Sequence, residues 1–259
     1  MDHHSFFIDT HAHLYLPEFD PDRDQVIGAA LQRGVKKILL PNIDSSSIAP
    51  MKDLAVRYPG VCFPMMGLHP TSVKENYRDE LEKVEFELEH GSYVGIGEIG
   101  IDLYWDKSHF KEQCLAFSRQ LDLSLRYGLP VVIHARESFP EIVEILEGYR
   151  NKGVTGIFHA FSGTPEIARQ VTGMGFKLGI GGIVTYKNST LPDIVLESDL
   201  KNLVLETDSP YLTPVPFRGK RNESSYIPYI AEKVEQIKSI PLDLVAQVTT
   251  ENVLRLFSL

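Results

Sequence analysis

His11 and His13, one residue apart, open a set of six side chains able to bind metal: His11, His13, Glu98, His134, His159 and Asp208. Side chains two apart in extended backbone lie on one face, so His11 and His13 can offer both imidazoles to one ion. Taken singly, each of the six has an ordinary explanation: a polar turn, a hydrogen-bonded histidine, a helix N-cap or a surface acid. Taken together they supply four imidazoles and two carboxylates, most of them directly after an apolar, β-rich run. Mixed nitrogen and oxygen donors suit Zn²⁺, Mn²⁺, Fe²⁺ or Co²⁺ better than Ca²⁺, which prefers oxygen alone. Six donors are too many for one tetrahedral ion that keeps a position open. They suit two divalent ions, with Zn²⁺, Mg²⁺ and Mn²⁺ as the candidates, sharing a carboxylate. Such a pair activates water near neutral pH and stabilises both attacking and leaving oxygens, which is what phosphodiester cleavage needs.

Residues spread over most of the chain meet only if the fold brings their strand ends together. Eight β-rich runs stand out: Ser5–Asp9, Val35–Pro41, Val61–Gly67, Tyr93–Gly97, Pro130–Ile133, Val154–Phe158, Phe176–Ile180 and Leu203–Leu205. Several are continuously apolar, as in Val131-Val132-Ile133, which suits parallel strands buried on both faces. Helix-period stretches fill the gaps. From His109 to Tyr127, Phe110, Cys114, Phe117, Leu121 and Leu125 predict one apolar stripe, with Gly128 as the stop. A further helix is expected after Ser138, with Ile142, Ile145 and Leu146 on one face. Eight such units predict an α/β fold, a (β/α)8 TIM barrel spanning residues 1–259 as a single domain, with all six candidates on its C-terminal rim. An open doubly wound sheet would carry a glycine-rich phosphate loop after its first strand; here Thr10-His11-Ala12-His13 follows instead.

Composition is that of a globular protein, with 43% hydrophobic and 24% charged residues among 259. The net charge of −9 argues against a broad basic face for duplex nucleic acid. Bound divalent ions would still supply local positive charge for an anionic substrate. Cys62 and Cys114 belong to no CxxC pair and read as reduced, buried thiols. The first ten residues lack a signal-peptide pattern and no run reaches the roughly 18 apolar residues of a membrane span, so a cytoplasmic protein without membrane partners is expected. His69 follows the third strand and is expected on the same rim as a phosphate contact. Arg136, Arg218, Lys220 and Arg221 are local cations that fit phosphate binding. Tyr104 and Trp105 follow strand four, where they either stack on an unpaired base or pack the loop. His3, His4, His90 and His109 read as bystanders.

Seven blocks stand out: Ile8-Asp9-Thr10-His11-Ala12-His13, Gly67-Leu68-His69-Pro70, Gly97-Glu98-Ile99-Gly100-Ile101-Asp102, Pro130 to Arg136, His159-Ala160-Phe161-Ser162-Gly163, Glu206 to Leu212 and Arg218 to Glu223. In these blocks the chain resembles the TatD family of metal-dependent deoxyribonucleases, within the amidohydrolase-like barrels. The blocks fall in the family's order across nearly the whole chain. Ser224 replaces a frequent Pro and Ala135 a frequent Ser, and neither is a candidate ligand. The resemblance implies that His11, His13 and Asp208 hold one ion, that His134 and His159 hold the second, and that Glu98 bridges them. It gives Asp208 a further role in orienting or deprotonating the attacking water. It also implies 3′→5′ exonuclease action on DNA, on single strands or 3′ ends. Two alternatives stay open at this point. One is a binuclear amidohydrolase or lactonase acting on a small C–N or ester substrate, although many of those carry a carboxylated lysine where this chain has Glu98. The other is a nucleic-acid-binding scaffold with structural metals.

Overall fold

Short parallel strands alternate with helices in the computed structural model, which describes residues 6–259. The strands are β1 (Phe7–Asp9), β2 (Val35–Pro41), β3 (Cys62–Met65), β4 (Ile96–Asp102), β5 (Val131–Arg136), β6 (Gly156–Phe158), β7 (Lys177–Ile180) and β8 (Leu203–Leu205). The helices are α1 (Arg23–Gln32), α2 (Ile48–Arg57), α3 (Tyr77–His90), α4 (Phe110–Tyr127), α5 (Phe139–Glu147), α6 (Pro165–Gly173), α7 (Leu191–Glu197), α8 (Ile227–Lys238) and α9 (Leu242–Phe257). Regular pairing runs β1-β2-β3 and β4-β5-β6-β7-β8, all parallel. Backbone hydrogen bonds close the two seams. Val94 N–H donates to Pro64 O, and Met66 N–H to Gly95 O, each at 3.1 Å, tying β3 to β4. Thr10 N–H donates to Leu205 O at 3.1 Å and Ala12 bridges Ser209, tying β8 to β1. The barrel expected from the sequence is therefore closed, and no edge strand is left to pair elsewhere among the described residues.

Alternate residues of each strand serve two cores. Ile8, Leu39, Met65, Val132, Ile157 and Val204 form an inner layer with Val253 and Phe257 of α9. Their neighbours, such as Ile38, Leu40, Val131 and Ile133, face the helices. Each fully buried Leu, Ile or Phe contributes about 1.5–3 kcal/mol. Two residues beyond Val132, Ile157 and Val204 stand His134, His159 and Glu206. The period of two thus carries the interior layer upward into a polar one at the C-terminal rim.

Helix α4 presents a different face from the one predicted. Phe110 and Leu125 are exposed, whereas Gln113, Phe117, Gln120, Leu121 and Ser124 are buried. Hydrogen bonding rotates the stripe. The Gln113 amide accepts from Asp102 N–H at 2.8 Å and donates to Asp102 O at 3.2 Å. Gln120 does the same to Leu68, at 2.7 and 3.2 Å. Each amide replaces the strand neighbour that these rim backbones lack, and unpaired buried backbone groups are costly. The helix ends at Gly128 in the left-handed region, φ 64°, as the sequence indicates.

The expected first strand includes Ser5, which, like His3 and His4, lies outside the described residues. Strand four begins later than expected and continues to Asp102, so Glu98 sits within β4 rather than beyond it. Cys62 and Cys114 are free thiols, the first buried and the second half-buried. No helix among the described residues is long and apolar enough to cross a membrane.

Candidate metal centre

Glu98 reaches the barrel axis through a bulge. Ile96 pairs with Val131 and Ile99 with Ile133, so β4 spends three residues where β5 spends two. The extra residue re-aims the backbone, as bulges beside functional sites do. The Glu98 carboxylate, 2% exposed, then divides its oxygens between two groups. Oε2 lies 3.0 Å from His11 Nε2 and 3.6 Å from His13 Nε2. Oε1 lies 2.8 Å from His159 Nε2, 2.9 Å from His134 Nδ1 and 3.2 Å from His69 Nε2. Asp208 completes the first group, its Oδ1 standing 3.7 Å from Nε2 of both His11 and His13. Asp208 adopts a left-handed backbone, φ 59°, which an aspartate tolerates better than most residues. Its N–H donates to His11 O at 2.8 Å, so the loops after β1 and β8 are fastened together.

These spacings fit metal ions. Donors bound at about 2.0–2.1 Å to a tetrahedral ion stand about 3.3 Å apart. The first group has His11 and His13 Nε2 at 3.2 Å from each other and the 3.0, 3.6 and 3.7 Å separations above. In the second, His134 Nδ1 and His159 Nε2 are 3.4 Å apart.

Buried groups behind the ligands set which ring nitrogen faces inward. The Tyr15 hydroxyl donates to Pro41 O, so its oxygen must accept from His13 Nδ1–H at 2.8 Å. That tautomer leaves the His13 Nε2 lone pair pointing at Glu98 and Asp208. His134 turns Nε2 to Asp102 Oδ2 at 2.9 Å, freeing Nδ1. His159 Nδ1 faces Glu206 Oε1 at 3.5 Å. Asp9 accepts from Thr207 N–H at 2.9 Å, Thr207 Oγ1–H at 2.6 Å and His11 N–H at 3.3 Å, joining the two ligand loops from below. Sequence reasoning missed Tyr15, Asp102, Glu206 and Asp9 as partners of the candidate ligands. A usable signal existed for all but Tyr15, because Asp9, Asp102 and Glu206 lie inside the matched family blocks. Tyr15→Phe should lower metal affinity about 10–100-fold, the usual cost of losing such a partner. Equilibrium dialysis checks this, and an unchanged affinity would show that the tautomer is held by something else.

The electrostatics favour cations. Burial pushes His11 down to about 4 and His13 well below the usual histidine range. Burial opposes ionisation of Glu98, but the charges of His159, His69 and His11 outweigh it and hold the carboxyl well below its usual range. Burial, helped by the charges of Glu98 and Glu206, pushes Asp208 up to about 8. Burial also opposes charge on His159, yet Glu98 and Glu206 prevail and raise it. Below pH 8 the metal-free centre therefore carries protons that a metal must expel. Metal affinity should rise with pH, by up to about tenfold per unit for each proton expelled, through the range near pH 8 where Asp208 titrates. Calorimetry at pH 7 in buffers of different ionisation enthalpy should detect proton release, and none would contradict this account.

The other candidates are distributed unevenly. His69 joins the ligand cluster itself, beside Glu98 and His134. Arg136 lies over the Tyr104 ring, with Trp105 adjacent. Arg218 sits over Tyr186 at 4.2 Å, and Lys220 lies 5.9 Å from the Phe217 ring, both exposed. Arg221 is already engaged: it pairs with Asp22 at 2.7 Å, donates to Glu18 O and covers Phe19. Its guanidinium fastens the loop after β8 to the segment before α1, leaving Arg136 and Arg218 as the freer arginines. His90 caps α3 by bonding Phe86 O, and His109 stands 3.6 Å from Glu75.

Comparison with known proteins agrees with this architecture. Residues 8–258 match the family described as TatD related DNase. The chain is 38% identical over 250 residues to YabD of Bacillus subtilis, named an uncharacterised metal-dependent hydrolase, covering 96% of this chain and 98% of that one. It is 30% identical over 261 residues to a Pectobacterium parmentieri protein named 3′-5′ ssDNA/RNA exonuclease TatD, covering 97% and 99%. The crystal structure of the TatD homologue YjjV from Escherichia coli superposes with a TM-score of 0.92 at 31% identity, covering 98% of both chains. The matched span runs from β1 to the end of α9 and includes all six candidate ligands. The chain therefore belongs to the TatD-related DNase family, as a metal-dependent hydrolase.

Proposed function

We propose that this hydrolase is a nuclease that shortens single-stranded DNA from its 3′ end. The observation that carries the reading is the divided carboxylate of Glu98, with one oxygen toward His11 and His13 and the other toward His134 and His159. In this reading His11, His13 and Asp208 would hold one divalent ion and His134 and His159 a second, with Glu98 available to either. The ions would supply Lewis acidity toward a phosphoryl oxygen and toward water. Asp208 is the more open carboxylate, at 14% exposure against 2% for Glu98. Its Oδ1 faces the imidazoles, and its Oδ2 has no hydrogen-bond partner among the described residues. That oxygen is free to orient an attacking water and take its proton, which needs reach before a matched pKa. Arg136 and Arg218 would offer charge to the phosphates of the strand. The relative named 3′-5′ ssDNA/RNA exonuclease supports the substrate class.

The test is a length ladder. Metal-stripped protein is incubated with a single-stranded 3′ overhang, adding Mg²⁺, Mn²⁺ or Zn²⁺ in turn. Stepwise shortening from the 3′ end is expected, with a parallel RNA strand reporting the sugar preference. An oligonucleotide left intact by every metal, with turnover of a lactone or cyclic amide, would overturn the nuclease reading in favour of a small-molecule hydrolase.

A further inference from the structure

The segment between β4 and α4 presents two large aromatic rings to solvent beside the metal centre. Tyr104 is 50% exposed and Trp105 is 68% exposed. Their ring centroids are 4.9 Å apart at an interplanar angle of 86°. Arg136, from the end of β5, lays its guanidinium carbon 3.8 Å from the centre of the Tyr104 ring and 5.2 Å from that of Trp105. Single exposed apolar side chains need no explanation. An exposed aromatic pair topped by an arginine is different, because among the described residues the guanidinium has no salt-bridge or side-chain hydrogen-bond partner.

The platform is fastened to the metal centre through one carboxylate. Asp102 Oδ1 accepts the N–H groups of Tyr104 at 2.9 Å and Trp105 at 3.1 Å. The other oxygen, Oδ2, holds His134 Nε2 at 2.9 Å. Arg136 follows His134 by two residues on β5, and its N–H donates to Ser138 Oγ at 3.1 Å. The rings are thus held by the carboxylate that orients His134, and the cation follows that histidine on the same strand.

We propose that Tyr104, Trp105 and Arg136 form a subsite for one unpaired nucleobase and its phosphate, feeding a single strand into the metal centre. The inference rests on the nuclease reading for the strand that supplies the base. Aromatic faces stack on any base without reading its sequence. With one face of the guanidinium laid on Tyr104, its N–H edge remains directed outward, the geometry that grips a phosphate oxygen. In a chain of net charge −9, a locally unpaired arginine at the rim supplies the attraction that the rest of the surface lacks. Duplex DNA keeps its bases stacked on one another, so the subsite selects single strands.

Trp105 is the one tryptophan in the sequence, so intrinsic fluorescence reports this position alone. The full-length protein with Mn²⁺ is titrated with phosphorothioate-linked oligothymidylate, which resists cleavage, and with an abasic strand of equal length. The thymidylate strand should quench the emission and the abasic strand should leave it nearly unchanged. In parallel, Trp105→Ala should raise KM for unmodified single-stranded DNA about five- to tenfold with kcat near that of the wild type, and Trp105→Phe should recover most of the loss. Equal quenching by both strands, or a KM that Trp105→Ala does not move, overturns the subsite. If the wild type cleaves single-stranded DNA and either of these results appears, the subsite falls and the nuclease reading stands. If no metal yields cleavage but quenching depends on the bases, the subsite stands and the nuclease reading falls.

Discussion

Glu98→Gln should leave a folded barrel with its hydrolytic activity reduced on the order of a thousandfold, more than the 10–100-fold typical of a residue behind the ligands. Gln matches Glu in size and shape, so the interior layer beneath, Val132 and Ile157 included, need not repack. The chemistry changes on both sides. One carboxylate oxygen becomes an NH₂ donor, and whichever group it faces loses its acceptor: His11 and His13 on one side, or His69, His134 and His159 on the other. The buried negative charge that these imidazoles share is also lost, which removes the main attraction for a bound cation at this depth. Metal content measured on dialysed protein should fall, while circular dichroism stays that of the wild type. A variant with full metal content and normal kcat would show that Glu98 bridges nothing. A variant that loses metal but keeps its fold would establish that the divided carboxylate is functional rather than structural.

The clustering of the six candidate ligands was legible because ligand chemistry draws on few residue types, and because strand ends in a parallel barrel share one rim. The apolar runs marked six strands closely, since Val, Ile and Leu at parallel strands are buried on both faces, whereas β5 runs past its apolar run to Arg136 and so includes His134. Strand β4 resisted. Gly97, Glu98 and Gly100 are not typical strand residues, and the bulge that turns Glu98 inward depends on pairing with β5, whose partner residues lie 34 or 35 positions along the chain. Helix α4 resisted for a related reason. Its apolar spacing described one face, but the backbones of Asp102 and Leu68 required two glutamine amides, and that requirement exists only once the barrel is assembled. Tyr15 was invisible because a tyrosine after an HxH pattern has many ordinary uses. Only the Pro41 carbonyl, from another strand, makes it decide the tautomer of His13. Arg221 shows the converse: a cation in a basic loop looked available, and the fold had already paired it with Asp22.

Gly100→Ala should cost more than about 4 kcal/mol, a large share of the 5–15 kcal/mol that holds a typical domain together. Gly100 pairs with His134 across β4 and β5 and has a φ of 140°, a backbone that residues with a side chain rarely adopt. A Cβ built there would stand 2.0 Å from His134 O, 3.0 Å from its carbonyl carbon and 3.1 Å from its nitrogen. The obstacle is backbone, so no rotamer change relieves it. Either Gly100 abandons its dihedral or the two strands part at the residues that carry Glu98, Asp102 and His134. Stability and metal binding should therefore fail together, unlike in Glu98→Gln, where only metal binding fails. Gly28→Ala supplies the contrast. That glycine lies within α1 with no heavy atom inside 4 Å of the added Cβ, so helix propensity alone acts and stability should rise by about 0.5–1 kcal/mol. Urea unfolding of both variants separates the cases. A Gly100→Ala protein with the wild-type midpoint would mean that β4 and β5 do not approach this closely, and the bulge that aims Glu98 would lose its support.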